Sequence, residues 1–215
     1  LGNSITYSGQ YVSYIDTYFT LKYPDRDFEI INVGLPSETV SGLSEPGHAD
    51  GKFPRPDLHE RLERVLLHTK PDLVFSCYGM NDGIYLPFDE GRFQQYKEGI
   101  NWPMKKYLED KRLSDDDFFL AKDGVHPNDT GHWIMAKQLL LYLGEVDVSK
   151  ANGIEEVVSQ FNHGAEIWKL VEESQKIMKD AWLTFIGHQR PGMNAGLTLE
   201  EALDKTDMLQ KEIRN

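Results

Sequence analysis

The chain has 215 residues, 40% of them hydrophobic and 27% charged, with a formal net charge of -12. That length supports one sizeable core, or one domain with an appendage, and the acidic balance excludes nucleic acid or anionic lipid as the main partner, because both require a basic surface. No apolar run approaches the roughly 20 residues of a membrane span, and a single cysteine, Cys77, rules out an intramolecular disulfide.

In chain order, Tyr11, Val12, Ile15, Tyr18 and Phe19 recur with the period of an amphipathic helix over residues 10–22, which Pro24 and Asp25 end. Residues 28–33 read as a strand stopped by Gly34, and residues 35–56 as a long loop rich in Gly, Pro and Ser. Asp57, with Glu60 three residues on, caps a helix whose apolar stripe is Leu58, Leu62, Val65 and Leu66. The apolar run 73–78 suits a strand buried on both faces of a parallel sheet, with Cys77 buried and inert inside it. Helices are expected at 89–100, 103–111 and 129–143, the last opening with Asp129 and Thr130. The acidic run Asp115-Asp116-Asp117 reads as a solvated turn.

This order predicts an α/β domain over residues 1–150, with a parallel sheet and functional loops at the carboxyl ends of its strands. Two complete strands are few for such a sheet. A first strand is therefore expected to lie before Leu1, and a further segment is expected to be missing near Asn101 and Trp102; a genuinely minimal sheet is the alternative. Residues 151–215 carry no strand signal and read as a helical extension packed on the domain, with helices at 165–185 and 198–213 and a linker at 187–196. Trp168 and Trp182 are the expected anchors; a lid or a dimer surface is the alternative role.

Four short blocks carry the chemistry. They are Gly2-Asn3-Ser4-Ile5-Thr6, Asn32-Val33-Gly34, Tyr78-Gly79-Met80-Asn81-Asp82 and Asp123-Gly124-Val125-His126-Pro127. A serine hydroxyl is a weak nucleophile without a base, and a histidine oriented by a carboxylate is the usual remedy. Ser4 is the candidate nucleophile, with helix capping as its alternative role. His126 is the candidate general base and then acid, and Asp123 its orienting carboxylate; a loop histidine beside a turn-forming aspartate is the bland alternative. A metal site built from Asp123, His126, Asp129 and His132 meets no recognised ligand spacing, and His132 reads as an ordinary helix residue.

Together the blocks resemble those of the SGNH (GDSL-type) hydrolases, over roughly residues 1–144. The resemblance implies a flavodoxin-like three-layer α/β/α fold and a serine esterase that needs neither cofactor nor metal. It implies an oxyanion hole formed by the backbone N–H groups of Ser4 and Gly34 and the side-chain amide of Asn81. Asn3 stands where the family has an aspartate that is not the triad acid. Asp82 reads as structural, bonding loop backbone, and the loop residues His48, Lys52, Phe53 and Arg55 as lining a cleft or as solvated. Asn3, Asp82, His48 and Arg55 are the candidate substrate-binding residues.

The expected function is hydrolysis of carboxylic esters through an acyl-serine intermediate. Polar loops with scattered aromatics and no long apolar channel favour short acyl groups, such as acetate, on a sugar or glycan. A lipase, lysophospholipase or thioesterase is the alternative within enzymes, and a silent glycan-binding or scaffold protein the alternative outside them. The resemblance places sugar-ester members in the periplasm or outside the cell, and leaves oligomeric state open.

Overall fold

The computed structural model describes residues 1–40, 42, 44–83, 112, 122, 123 and 125–214. The expected helices at 89–100 and 103–111, the break near Asn101 and Trp102, and the acidic run at 115–117 lie outside these residues. The described helices are α1 (Ser4–Ser8), α2 (Gln10–Lys22), α3 (Leu62–Thr69), α4 (Asp129–Tyr142), α5 (Ile154–Val158), α6 (Gly164–Ile186) and α7 (Leu199–Ile213).

Four of the described helices start for a local reason. Asn3 Oδ1 accepts the Ile5 N–H and opens α1, and Gly9, at φ 83°, takes the left-handed conformation that breaks α1 from α2. Asn128 caps α4 through the Gly131 N–H, and Thr198 with Glu201 forms a reciprocal capping box on α7. Asp57 caps a short 3₁₀ turn, Leu58–Glu60, rather than α3 itself. Of the expected stripe, Leu58 and Val65 are buried, while Leu66 is 41% exposed.

The described residues contain no sheet, which corrects the expected three-layer α/β/α parallel-sheet fold. Residues 28–35 and 73–76 run without helix, and the only β-pairings among the described residues are isolated parallel bridges, Gly2 with Cys77 and Thr39 with Asp57. A ladder needs successive backbone pairs, and here the backbone polar groups find other partners. Gln175 Nε2 donates to the Ile30 carbonyl, Arg61 Nη2 to the Val33 carbonyl, and the Asn32 side chain accepts from the Gly34 N–H. Single bonds join the segments instead: Leu35 N–H to the Gly2 carbonyl, Cys77 N–H to the Leu1 carbonyl, and the Leu1 ammonium to the Phe75 carbonyl. The 73–76 run is not buried on two faces either, since Leu73 is 58% exposed and Val74 42%.

The core is therefore built mainly from helices. Tyr14, Tyr18 and Leu21 of α2 pack with Trp133 and Leu140 of α4 and with Ile154 and Val157 of α5. A second cluster joins Val33, Val65, Trp182 and Ile186. α6 packs on both α2 and α7, so the C-terminal helices belong to the body. Trp182 is buried in the second cluster, and Trp168 sets its ring edge-on to Tyr14 at 5.8 Å.

Candidate functional site

Ser4 occupies the first turn of α1, and Asp123 and His126 lie on the turn leading into α4. The fold brings the three together: Ser4 Oγ is 2.9 Å from His126 Nε2, and His126 Nδ1 is 2.7 Å from Asp123 Oδ2. The other carboxylate oxygen of Asp123 accepts the backbone N–H groups of Val125 at 2.9 Å and His126 at 2.8 Å. The His126 ring bond and these two amides hold the Asp123 carboxyl well below the usual carboxylate range. An ionised Asp123 accepts the Nδ1 proton, which leaves Nε2 as an acceptor for the Ser4 hydroxyl. The pair is open to solvent, with the His126 and Asp123 side chains 53% and 57% exposed.

Two further contacts join the same elements. Gln10 Nε2 donates to Asp129 Oδ1 at 2.6 Å, and Ser8 Oγ lies 3.4 Å from His132 Nε2. Ser8 gives its one hydroxyl proton to the Ile5 carbonyl at 2.6 Å, so His132 is the donor of its pair and carries its proton on Nε2. His132 Nδ1 is then a bare acceptor, buried and without a partner. Burial lowers the His132 pKa to about 4 and keeps the ring neutral. The two Ser–His pairs thus hold opposite tautomers. This second pair escaped sequence reasoning, although the four-residue step from Ser4 to Ser8 puts both hydroxyls on one side of α1.

The other candidates have protein partners. The Gly34 N–H donates to Asn32 Oδ1 at 2.9 Å, and a Cβ at Gly34 would collide with Tyr7 N and Thr6, so glycine here lets the second block pack on α1. Asn81 spends one of its two amide hydrogens on the Glu38 carbonyl at 3.0 Å. Asn3 is 2% exposed and is used as the α1 cap. Asp82 Oδ1 accepts the Val40 N–H, tying the third block to the 35–56 loop. Arg55 makes a two-pronged pair with Glu45 at 2.7 and 2.6 Å. His48 lies 3.7 Å from Glu45 and edge-on to Phe53; burial, then the Arg55 charge, lowers its pKa. Lys52 pairs with Asp50 in solvent. Cys77 is buried, which raises its thiol pKa.

A buried charge network was not legible in the residue spacing. Arg61 Nε and Nη2 reach Glu38 at 2.6 and 2.7 Å, with both side chains 0% exposed, and Tyr78 donates to Glu38 at 2.5 Å. Burial opposes the Arg61 charge, but Glu38 outweighs it and raises the guanidinium pKa. Arg61 of the network holds the Val33 carbonyl, and Asn81 donates to the Glu38 carbonyl, so the network braces the loops that carry Gly34 and Asn81.

Among the described residues no three His, Cys, Asp or Glu side chains converge as metal ligands, and no helix is long and apolar enough to cross a membrane. A cavity of about 690 Å³ lies among Asp16, Phe28, Ile31, Gln175, Trp182 and other residues of α2, α6 and α7, none of them in the Ser4 cluster. Comparison with protein-family models, curated proteins and solved structures returned no match.

Proposed function

We propose that this chain is a serine hydrolase that cleaves carboxylic esters through an acyl-serine intermediate. The observation that carries the reading is the hydrogen-bonded run Ser4 Oγ–His126 Nε2–Asp123 Oδ2, at 2.9 and 2.7 Å. In this reading Ser4 Oγ attacks the ester carbonyl while His126 Nε2 takes its proton, and Asp123 stabilises the imidazolium. His126 then returns the proton to the leaving alcohol. Water, deprotonated by the same nitrogen, releases the acid and restores Ser4. The Ser4 backbone N–H, in the first turn of α1, is the first candidate donor to the developing oxyanion. Gly34 joins it only by exchanging Asn32 Oδ1 for the substrate oxygen, whereas Asn81 keeps a second amide hydrogen beside the one given to the Glu38 carbonyl.

The four blocks that resemble SGNH hydrolases support the same chemistry. The exposure of His126 and Asp123 favours a short acyl group on a bulky polar alcohol, such as an acetylated sugar, over a lipid tail that must be enclosed. One observation favours a second reading, a silent glycan-binding protein: Gly34 N–H and Asn81 already have internal partners.

The test is hydrolysis of a chain-length series of aryl esters, with covalent labelling by a fluorophosphonate. Acetate-selective turnover that falls by about 10⁴-fold or more in Ser4→Ala is the expected result. Long-chain preference would move the claim to lipids. Turnover unchanged by the substitution would sink the mechanism, and an unlabelled, inert wild type would favour the binding reading.

A further inference from the structure

The segment between α6 and α7 runs back against the 35–56 loop. Arg190 Nε donates to the Pro36 carbonyl at 2.9 Å and Nη1 to the Pro191 carbonyl at 3.1 Å, while its guanidinium carbon lies 5.5 Å from the centroid of the Phe53 ring. Pro36 stands two residues after Gly34. Tyr7, one turn after Ser4 on α1, is one of the ionisable groups that couple electrostatically to Arg190, with His48 and His188. Arg190 is thus attached to the loop that follows the second block, and Gly34 of that block packs against Thr6 and Tyr7 of the helix that carries Ser4.

Among the described residues its charge meets no carboxylate. Arg55, Arg61, Arg64 and Arg214 each face a carboxylate. Arg190 is half-buried, forms no ion pair among the described residues, and has Nη2 hydrogens donated to no described group. Burial lowers its pKa, which is the mark of a cation short of a counter-charge. In a chain of net charge -12 a carboxylate partner is easily supplied from within, and among the described residues none is. Two backbone carbonyls and an aromatic face orient the planar fork, so little side-chain entropy remains to be lost when an anion binds.

We propose that Arg190, with Phe53 beside it, is a recognition site for a carboxylate on the alcohol portion of the substrate, so that the ester is carried on an acidic sugar rather than a neutral one. The assignment rests on the esterase reading above. A guanidinium fork matches the two oxygens of a carboxylate, and the Phe53 ring offers a flat apolar face to a sugar ring.

The experiment compares acetylated methyl glucuronoside with acetylated methyl glucoside, which differ only in bearing a carboxylate or a hydroxymethyl group. The wild type should favour the glucuronoside by about tenfold in kcat/KM, the worth of one charge-assisted hydrogen bond, mainly through KM. The preference should shrink with added salt. Arg190→Gln should bring the ratio to about one, and Arg190→Lys should retain part of it, keeping charge without the fork. Each ratio is taken within one protein, so a reduced folded fraction cancels. A wild-type ratio near one, or an undiminished ratio in Arg190→Gln, overturns the proposal. If neither ester is turned over, the sugar-ester form of the esterase reading fails and the Arg190 site is judged alone by chemical-shift titration of its Nε–H. A response to methyl glucuronoside but not methyl glucoside upholds the site, and no response to either overturns it.

Discussion

At the scale of the residue, Asp123 fixes which tautomer His126 presents to Ser4. Asp123→Asn keeps the shape but supplies an amide where the Nδ1 proton must be accepted, so kcat should fall by about 10⁴-fold near neutral pH. Because the folded-state pKa of Asp123 is depressed, its contribution to holding the turn is complete above about pH 4, the unfolded value, and is lost only as the pH falls further. His132 behaves differently. Its pKa is about 4 in the folded chain and about 6.5 when unfolded, so the unfolded chain takes up a proton first on acidification. Stability from this residue is full above about pH 6.5 and is lost as the pH falls toward 4, by an amount on the order of 3 kcal/mol. Urea unfolding at pH 7 and pH 4.5 should show a smaller acid loss in His132→Gln than in the wild type; equal losses would remove His132 as the cause.

At the scale of the element, the site depends on how α1 and the start of α2 meet the start of α4. Ser4–His126, Ser8–His132 and Gln10–Asp129 are three contacts between the same stretches of chain, and stacking of Tyr11 on His132 at 6.2 Å adds a fourth. Only the first involves the atoms that would react in the proposed mechanism; the others hold Ser4 and His126 at their separation. A shift of about 1 Å in such geometry costs about 10²-fold in rate. Gln10→Ala removes one exposed contact while the part-buried Ser8–His132 pair remains. A drop in kcat of a few-fold with KM little changed is expected, well short of that limit. A change confined to KM would mean that Gln10 meets substrate instead. The blocks around Ser4 and His126 were legible because a serine at a helix start and an Asp-x-x-His turn are local patterns. The supporting contacts were not, because they join residues more than a hundred positions apart.

At the scale of the whole molecule, the Glu38–Arg61 pair ties the loop after Gly34 to α3 and to Tyr78. Removing one partner leaves the other charged in a dry interior. Arg61→Met should therefore destabilise the fold by about 3–5 kcal/mol in denaturant unfolding, more than the same change at exposed Arg214. If Arg61→Met and Glu38→Gln together are less damaging than Arg61→Met alone, the unpaired carboxylate is the cause. The C-terminal helices are part of this body, since Trp182 and Ile186 complete the apolar cluster around Val33 and Val65. Their boundaries were readable: the residues from 164 to 186 and from 199 to 213 match the helical periods within a residue or so, and the Thr198–Glu201 box marks the second start.

Sequence alone determined the local features of this protein: the helix periods of α2, α4, α6 and α7, the breaks at glycine, and the residue types able to form a nucleophile and its base. Each depends on neighbours a few positions away, and such preferences survive in any context that buries the apolar face. Two apolar runs flanked by turn residues also carried a local signal for strands, but a sheet is a property of partners. In the tertiary structure Gln175, Arg61 and Asn32 satisfy the backbone groups that neighbouring strands would have paired. Likewise, whether Ser4 reaches His126, and whether Gly34 and Asn81 have partners of their own, was decided only when distant segments came together. Hydrogen bonds act over about 3 Å, and that distance is set by packing rather than by position in the chain.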